Sequence, residues 1–147
     1  MTAQQMWELF VKQCPETALC SYDAWCYGDA PDELAELTKR GIKTATASAY
    51  PIYALEGEPL PEEGAYSVIL GTDETAVCII RTERVFVVPF RDVTEEQAFR
   101  EGEGDRTLSY WRDVHKRFFK KEMSDFGLTF TEDMDVVCEE FEVVFSL

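Results

Sequence analysis

The order in which the hydrophobic period changes along the chain constrains its fold more than any single motif does. Apolar residues at helical spacing come first. Met6, Leu9 and Phe10 predict an amphipathic helix over residues 3–13 that stops before Pro15. A second helix is marked by Asp29 as cap, Pro31 in the first turn, Leu34 and Leu37 facing inward, and Gly41 as the stop. The character then turns extended. Residues 44–50 are rich in threonine and small side chains, and after the Pro/Gly/Glu loop 56–64 the segments 66–70 and 76–82 read as a hairpin turning at 71–75. Residues 85–88 add a strand ended by Pro89. Helical signals return with Thr94-Glu95-Glu96-Gln97, a capping-box pattern in which the threonine and glutamine side chains satisfy each other's backbone N–H groups; that helix ends at Gly102. A longer helix over 107–123 follows, with Leu108, Trp111, Val114 and Phe118 on one face. Residues 136–145 close the chain as a strand with Phe141, Val143 and Phe145 on one side. Without strand–helix–strand alternation, a parallel sheet has no support. The expected class is α+β, with a mainly antiparallel sheet or small barrel flanked by helices.

Size and charge narrow the function classes. At 147 residues there is room for one core and not comfortably for two, and no linker or repeat divides the chain. Twenty-nine acidic residues against fourteen basic ones give a formal charge of -15, so the surface repels long nucleic-acid duplexes and anionic membranes. Seven of the fourteen basic residues fall within 100–121, among them Arg112, Lys116 and Arg117, which leaves room for a short RNA or nucleotide in one place. If those three point away from the cleft, the local exception disappears. The N-terminal residues show no export signal, which points to a cytoplasmic protein, and the apolar run 85–90 is far too short to span a bilayer. Five cysteines without a C-x-x-C pair and a single histidine, His115, offer no local zinc spacing. Buried or semi-buried reduced thiols are expected, and neither a metal nor a cofactor.

Several short features have two readings each. Trp25, Tyr27 and Asp29 are either core rings and a helix cap, or a stacking wall with a hydrogen-bond acceptor. Lys43 and Thr46 are three apart, which strand alternation places on opposite faces unless a twist or bulge brings them together. Glu101 opens an acidic cluster that is either solvated or weakly cation-binding. Gly102-Glu103-Gly104 lacks the third glycine of a dinucleotide loop, since Thr107 stands there, and reads as a tight turn between helices.

Together these residues resemble the ASCH-domain family of the PUA-like superfamily. Gly41-Ile42-Lys43-Thr44-Ala45-Thr46 matches its G-x-K-x-x-T signature. The blocks Trp25–Asp29, Glu56–Pro61, Pro89-Phe90, Glu101–Asp105, Trp111-Arg112 and Asp133-Met134 are similar to a subfamily of stand-alone bacterial proteins, over roughly residues 20–145. The resemblance implies a single domain over 1–147, with residues 1–20 as a helical extension, built as a small β-barrel flanked by helices around a cleft floored by the Lys-Thr segment. It also implies RNA or nucleotide binding, ribonuclease activity, or amide hydrolysis of acetylated cytidine as in a shorter relative. The acting lysine and threonine of that relative map onto Lys43 and Thr46, and its glutamate onto Glu101 through Ala98-x-x-Glu101. Trp25, Tyr27, Asp29 and Arg112 are then the candidate substrate-binding residues.

Metal-free amide hydrolysis needs a nucleophile, a base and a group that stabilises the oxyanion. Thr46 supplies a hydroxyl. Lys43 accepts its proton only as a neutral amine, and a free lysine titrates near about 10.4. An ionised Glu101 favours the ammonium instead, which leaves substrate orientation or transfer of the leaving-group proton as its other roles. The competing reading is a binding module in which Lys43 contacts phosphate or carbonyl oxygen and Trp25 or Tyr27 stacks on a base.

Overall fold

The extended middle of the chain forms a five-stranded sheet. The computed structural model describes residues 1–147, and its strands are β1 (Tyr22–Trp25), β2 (Ala45–Ala49), β3 (Tyr66–Leu70), β4 (Ala76–Pro89) and β5 (Asp135–Ser146). They lie in the order β1-β3-β4-β5-β2. Every pair is antiparallel except β1 with β3, so the α+β class and the mainly antiparallel sheet are as expected. The ladder is open, with β1 and β2 as its two edges rather than joined to close a barrel.

Five helices flank the sheet: α1 (Ala3–Gln13), α2 (Pro31–Lys39), α3 (Tyr50–Glu56), α4 (Glu95–Glu101) and α5 (Leu108–Asp125). Three apolar clusters join them to it. Met6 and Phe10 of α1 pack with Val68, Ile79 and Phe145. Ala35 of α2 meets Tyr27, Ile69, Ile80 and Phe141 on the opposite face of β3. Ala98 of α4 and Trp111, Phe119 and Met123 of α5 pack with Phe90, Val136 and Cys138. No helix is long and apolar enough to cross a membrane.

Residues 22–25, to which the sequence pattern assigns no element, form a strand, because their edge pairing with β3 is a tertiary contact and not a pattern. Several expectations are corrected. Residues 76–82 and 85–88 form one strand, with irregular register against β5 near Ile79 and Thr82 absorbing what looks like a break. The first of these shifts, between Ile79 and Ile80, leaves Val143 with the α2 cluster and turns Phe145 to the α1 cluster, so the two do not share a side. Tyr50, read as the end of the extended segment, and Glu56, read as the start of the loop, bound α3: Pro51 lies in its first turn and Gly57 ends it. Asp29 does not cap α2; Ala30 does, in a left-handed conformation. The inward positions of α2 are Ala35 and Thr38, with Leu34 and Leu37 half-buried, and those of α5 are Trp111, His115, Phe119 and Met123. All five cysteines are free, but Cys20 and Cys26 are exposed rather than buried.

Candidate functional site

Lys43 owes its position to the way α2 ends. Gly41 takes a positive φ of 74°, and the Leu37 carbonyl accepts both the Ile42 and Lys43 N–H groups, at 3.0 and 3.1 Å. The chain then runs between α4 and β5: the Thr44 N–H donates to the Arg100 carbonyl and the Thr44 carbonyl accepts from the Phe141 N–H. Regular strand structure begins only at Ala45. Lys43 therefore precedes the alternation that sets Thr46, and both side chains border one cavity.

Glu101 arrives from the last turn of α4. Gly102 ends that helix with φ of 70°, and a Cβ there would stand 2.5 Å from the Ile42 carbonyl oxygen. Glycine thus permits both the turn and the close approach of the Lys43 segment. Two residues on, Glu103 faces the same lysine. Lys43 Nζ lies 2.9 Å from Glu103 Oε2 and 3.4 Å from Glu101 Oε1, and 5.2 Å from the centre of the Tyr27 ring.

Four donors surround the Glu101 carboxylate, which is fully buried. Lys43 and His115 Nε2, the latter at 3.3 Å, face Oε1; Gln97 Nε2, at 3.1 Å, and the Trp111 indole N–H donate to Oε2. Burial works to raise its pKa, but the His115 and Lys43 charges and the bonds from His115 and Trp111 hold it well below the usual carboxylate range. His115 faces an acceptor with each nitrogen, since Nδ1 lies 2.9 Å from the Trp111 carbonyl oxygen. The imidazolium satisfies both. Burial opposes that charge, but Glu101 outweighs it, with Glu103 helping, and the His115 pKa is raised. Two cations thus balance two carboxylates. Glu101, Glu103 and His115 also present ligand atoms within 4.8 Å of one another, a spacing that suits a metal ion; the Lys43 ammonium stands between the two carboxylates.

The inner cavity has a volume of about 60 Å³ and is bordered by Tyr27, Asp29, Lys43, Thr46 and Glu101 among others. The remaining two sequence candidates lie outside it. Trp25 packs edge-on against Tyr27 with ring centres 5.1 Å apart, and Arg112 donates to the Arg91 carbonyl on the exposed side of α5. Tyr27 is itself committed: its hydroxyl donates to Thr38 Oγ1 at 2.8 Å, because the Thr38 proton goes to the Leu34 carbonyl. Its burial raises its pKa well above the ordinary value. An outer groove of about 590 Å³ adjoins the cavity, and there Arg117 and Lys121 face Asp29, Glu122 and Asp125.

Sequence reasoning missed Gln97, Glu103, His115 and Glu139. Thr94 does cap α4 through the Gln97 N–H, but the Gln97 side chain abandons the capping box for Glu101 and the Thr46 carbonyl. Its Oε1 is left buried without a partner. Glu103 was legible only as part of a turn and of the acidic cluster after Glu101, and His115 only as a lone histidine without zinc-ligand spacing. Its place four residues after Trp111, on one helix face, was the available signal. Glu139 pairs with Thr46 across β2 and β5 and accepts from the Thr82 hydroxyl at 2.7 Å; burial raises its pKa.

The family model for the ASCH domain matches residues 23–145. The crystal structure of the ASCH domain from Lactobacillus crispatus JV V101 superposes with a TM-score of 0.89 at 31% identity, over 96% of this chain and 92% of that one. Protein EF3133 from Enterococcus faecalis V583 superposes at 0.87 with 39% identity, over 96% of this chain and 86% of its own. ASCH from Zymomonas mobilis shares the fold at 0.52 with 11% identity, over 86% of this chain and 71% of its own. No curated protein matches. The family model and the two structures above 30% identity agree: the chain belongs to the ASCH-domain family.

Proposed function

We propose that this protein hydrolyses the amide of an acylated nucleoside at the cavity bordered by Lys43, Thr46 and Glu101. The observation that carries the reading is convergence. A turn after α2, an edge strand and a helix end bring these three side chains to one cavity. The Thr46 hydroxyl attacks the acyl carbon, the nucleoside amine leaves with a proton, and water then frees the acyl group as a carboxylic acid. Lys43, an ammonium between two carboxylates, donates N–H bonds to the acyl oxygen as charge develops on it. Glu101, with four donors already, holds Lys43 and shuttles no proton. Glu103, paired with Lys43 but less enclosed at 14% exposure, is the proton acceptor in this reading. The reading uses no metal and no cofactor. It treats residues 1–147 as one domain, with residues 1–20 an extension that places Met6 and Phe10 on the sheet face away from Tyr27.

A second reading, a binding module for RNA or a nucleotide, has Arg117 and Lys121 beside the cavity in its favour. Their three acidic neighbours weigh against it, as does the placement of Arg112 outside the cavity and of Lys116 3.9 Å from Glu132. Turnover of N4-acetylcytidine, followed by chromatography, tests the first reading. The wild type releases cytidine, Thr46→Ala loses at least about 100-fold and Thr46→Ser retains activity. Absence of turnover with the wild type, alongside RNA binding that weakens steeply with salt, would establish the second.

A further inference from the structure

Glu103 reaches Lys43 from a loop that its own backbone does not hold rigid. It stands between Gly102 and Gly104, both at positive φ, of 70° and 57°, and glycine is the residue that loses most conformational freedom on being fixed. Two residues further on, Arg106 is also left-handed, at φ of 65°, although it is no glycine. A residue with a Cβ adopts that region at a cost and keeps it only where its surroundings hold it there. Those surroundings are specific. The Arg106 N–H closes a turn onto the Glu103 carbonyl at 2.9 Å. A Cβ on Gly104 would run into the Tyr110 ring, so the loop lies directly against α5.

The Arg106 side chain ties this loop to both sides of the site. Its Nε donates to the Phe99 carbonyl in the last turn of α4 at 3.1 Å, and its Nη2 donates to the Ile42 carbonyl at 3.4 Å. The guanidinium also lies over the Phe99 ring, 3.7 Å from its centre. With two carbonyls and an aromatic face already engaged, this arginine is not free for a phosphate. An arginine near a helix C-terminus commonly satisfies the last carbonyls, so the bond to Phe99 needs no further explanation. The bond to Ile42 does. That carbonyl is 64 residues away in sequence and belongs to the peptide that leads into Lys43. A planar guanidinium can grip two such oxygens at once in a fixed geometry.

On the reading that Glu103 accepts a proton during amide hydrolysis, we infer that Arg106 is the positioning residue of the site: it fixes the backbone of Glu103 against the Lys43 peptide and thereby sets the 2.9 Å separation of their side chains. Arg106 does not border the cavity, so it acts through Glu103 and Lys43 and not on the substrate. The left-handed backbone and the side-chain clamp are one device, since the turn directs the guanidinium back across the loop that it closes. Loss of the guanidinium frees the two glycines beside Glu103, and a misplacement of about 1 Å in a reacting group costs about 100-fold in rate. Substrate binding is untouched, so the loss falls on kcat and not on KM.

Steady-state hydrolysis of N4-acetylcytidine by the wild type, Arg106→Gly and Arg106→Lys tests this, with a urea midpoint measured for each. Glycine removes the clamp and relieves the left-handed backbone, whereas lysine keeps the charge without the planar fork. If Arg106→Gly does not fold, Arg106→Asn takes its place, since asparagine also tolerates that backbone. In the folded glycine or asparagine variant kcat is expected to fall by about tenfold or more, and in Arg106→Lys by less, with KM within about twofold of the wild type. Glu103→Gln should cost far less activity in the background without the clamp than in the wild type, because a displaced proton acceptor has little left to lose. An arginine that only caps α4 would lower the urea midpoint and leave the kcat of folded protein unchanged. That result, or equal losses from Glu103→Gln in both backgrounds, would overturn the positioning role while the hydrolase reading stands. A crystal structure of the folded variant with Glu103 unmoved beside Lys43 would overturn it independently of activity. No hydrolysis by the wild type would overturn the proposed function, and the crystal structure then decides the clamp alone.

Discussion

Replacing Lys43 by methionine keeps most of the side chain's length and apolar stem and removes only the charge, so its consequence can be worked from the site. The Lys43 side chain is 1% exposed, and the Glu101 side chain, with Oε1 3.4 Å from the ammonium, is equally enclosed. Removing one partner of a buried pair leaves an uncompensated charge, which costs about 3–5 kcal/mol. Glu103 softens the loss, because at 14% exposure it can turn to water, whereas Glu101 is fixed by Trp111, Gln97 and His115. The expected cost is therefore near the lower end, about 3 kcal/mol. At about 2–4 °C per kcal/mol for a domain near this size, that lowers Tm by roughly 6–12 °C. Urea unfolding followed by tryptophan fluorescence measures it as a lower midpoint with an unchanged slope. Glu101→Gln added to Lys43→Met should cost less than the two single changes combined, by about 1 kcal/mol or more, because it removes the stranded charge. A single-variant loss below about 1 kcal/mol would refute the claim that Lys43 and Glu101 form a buried ion pair. The same reasoning makes Thr46→Ala, rather than a change at Lys43, the clean test of activity.

Two further predictions concern pH and backbone. Glu101 has a lowered folded pKa, so its contribution to stability is present above the unfolded value of about 4.3 and is lost as pH falls towards the folded one. His115 has a raised folded pKa, so its contribution is complete below about 6.5 and is lost as pH rises through the folded value. Between these limits the pair stabilises most, and the stability gap between wild type and His115→Asn should shrink on the alkaline side; a gap constant from about pH 6 to about pH 9 would contradict this. Gly102→Ala and Gly41→Ala share a positive φ, of 70° and 74°, but only at Gly102 does the new Cβ meet a backbone oxygen. Gly102→Ala should therefore unfold at a lower urea concentration, by about 1 kcal/mol or more beyond the cost at Gly41, and equal losses would show the contact to be unimportant.

What was legible in the sequence was local. Thr94 caps its helix, Gly41 ends α2, and the hairpin turns after Leu70, because each depends on neighbours a few residues apart. What escaped depends on distant partners. The parallel edge pairing of β1, the inward rotation of α5 and the diversion of Gln97 are decided by packing that periodicity does not see. The site divides in the same way. Lys43, Thr46 and Glu101 were found through a motif resemblance, while spacing alone set the first two apart; the turn that unites them lies just before the strand begins. His115 and Glu103 complete the charge balance from a helix and a loop that no local pattern ties to Lys43.

The ion pair at Glu101 joins residues 58 apart in sequence. Its remaining donors come from α4 and from α5, whose apolar side closes a core cluster against the sheet. No short fragment of the chain contains these partners together, so the cavity exists only when both helices have docked. A molecule that occupies it binds the native state and not a partly unfolded one, and by mass action it raises the stability of the whole domain, in proportion to the logarithm of its concentration once the site is saturated. A thermal-shift screen of metabolites therefore interrogates the site through the unfolding of every element at once, whatever reaction the cavity supports.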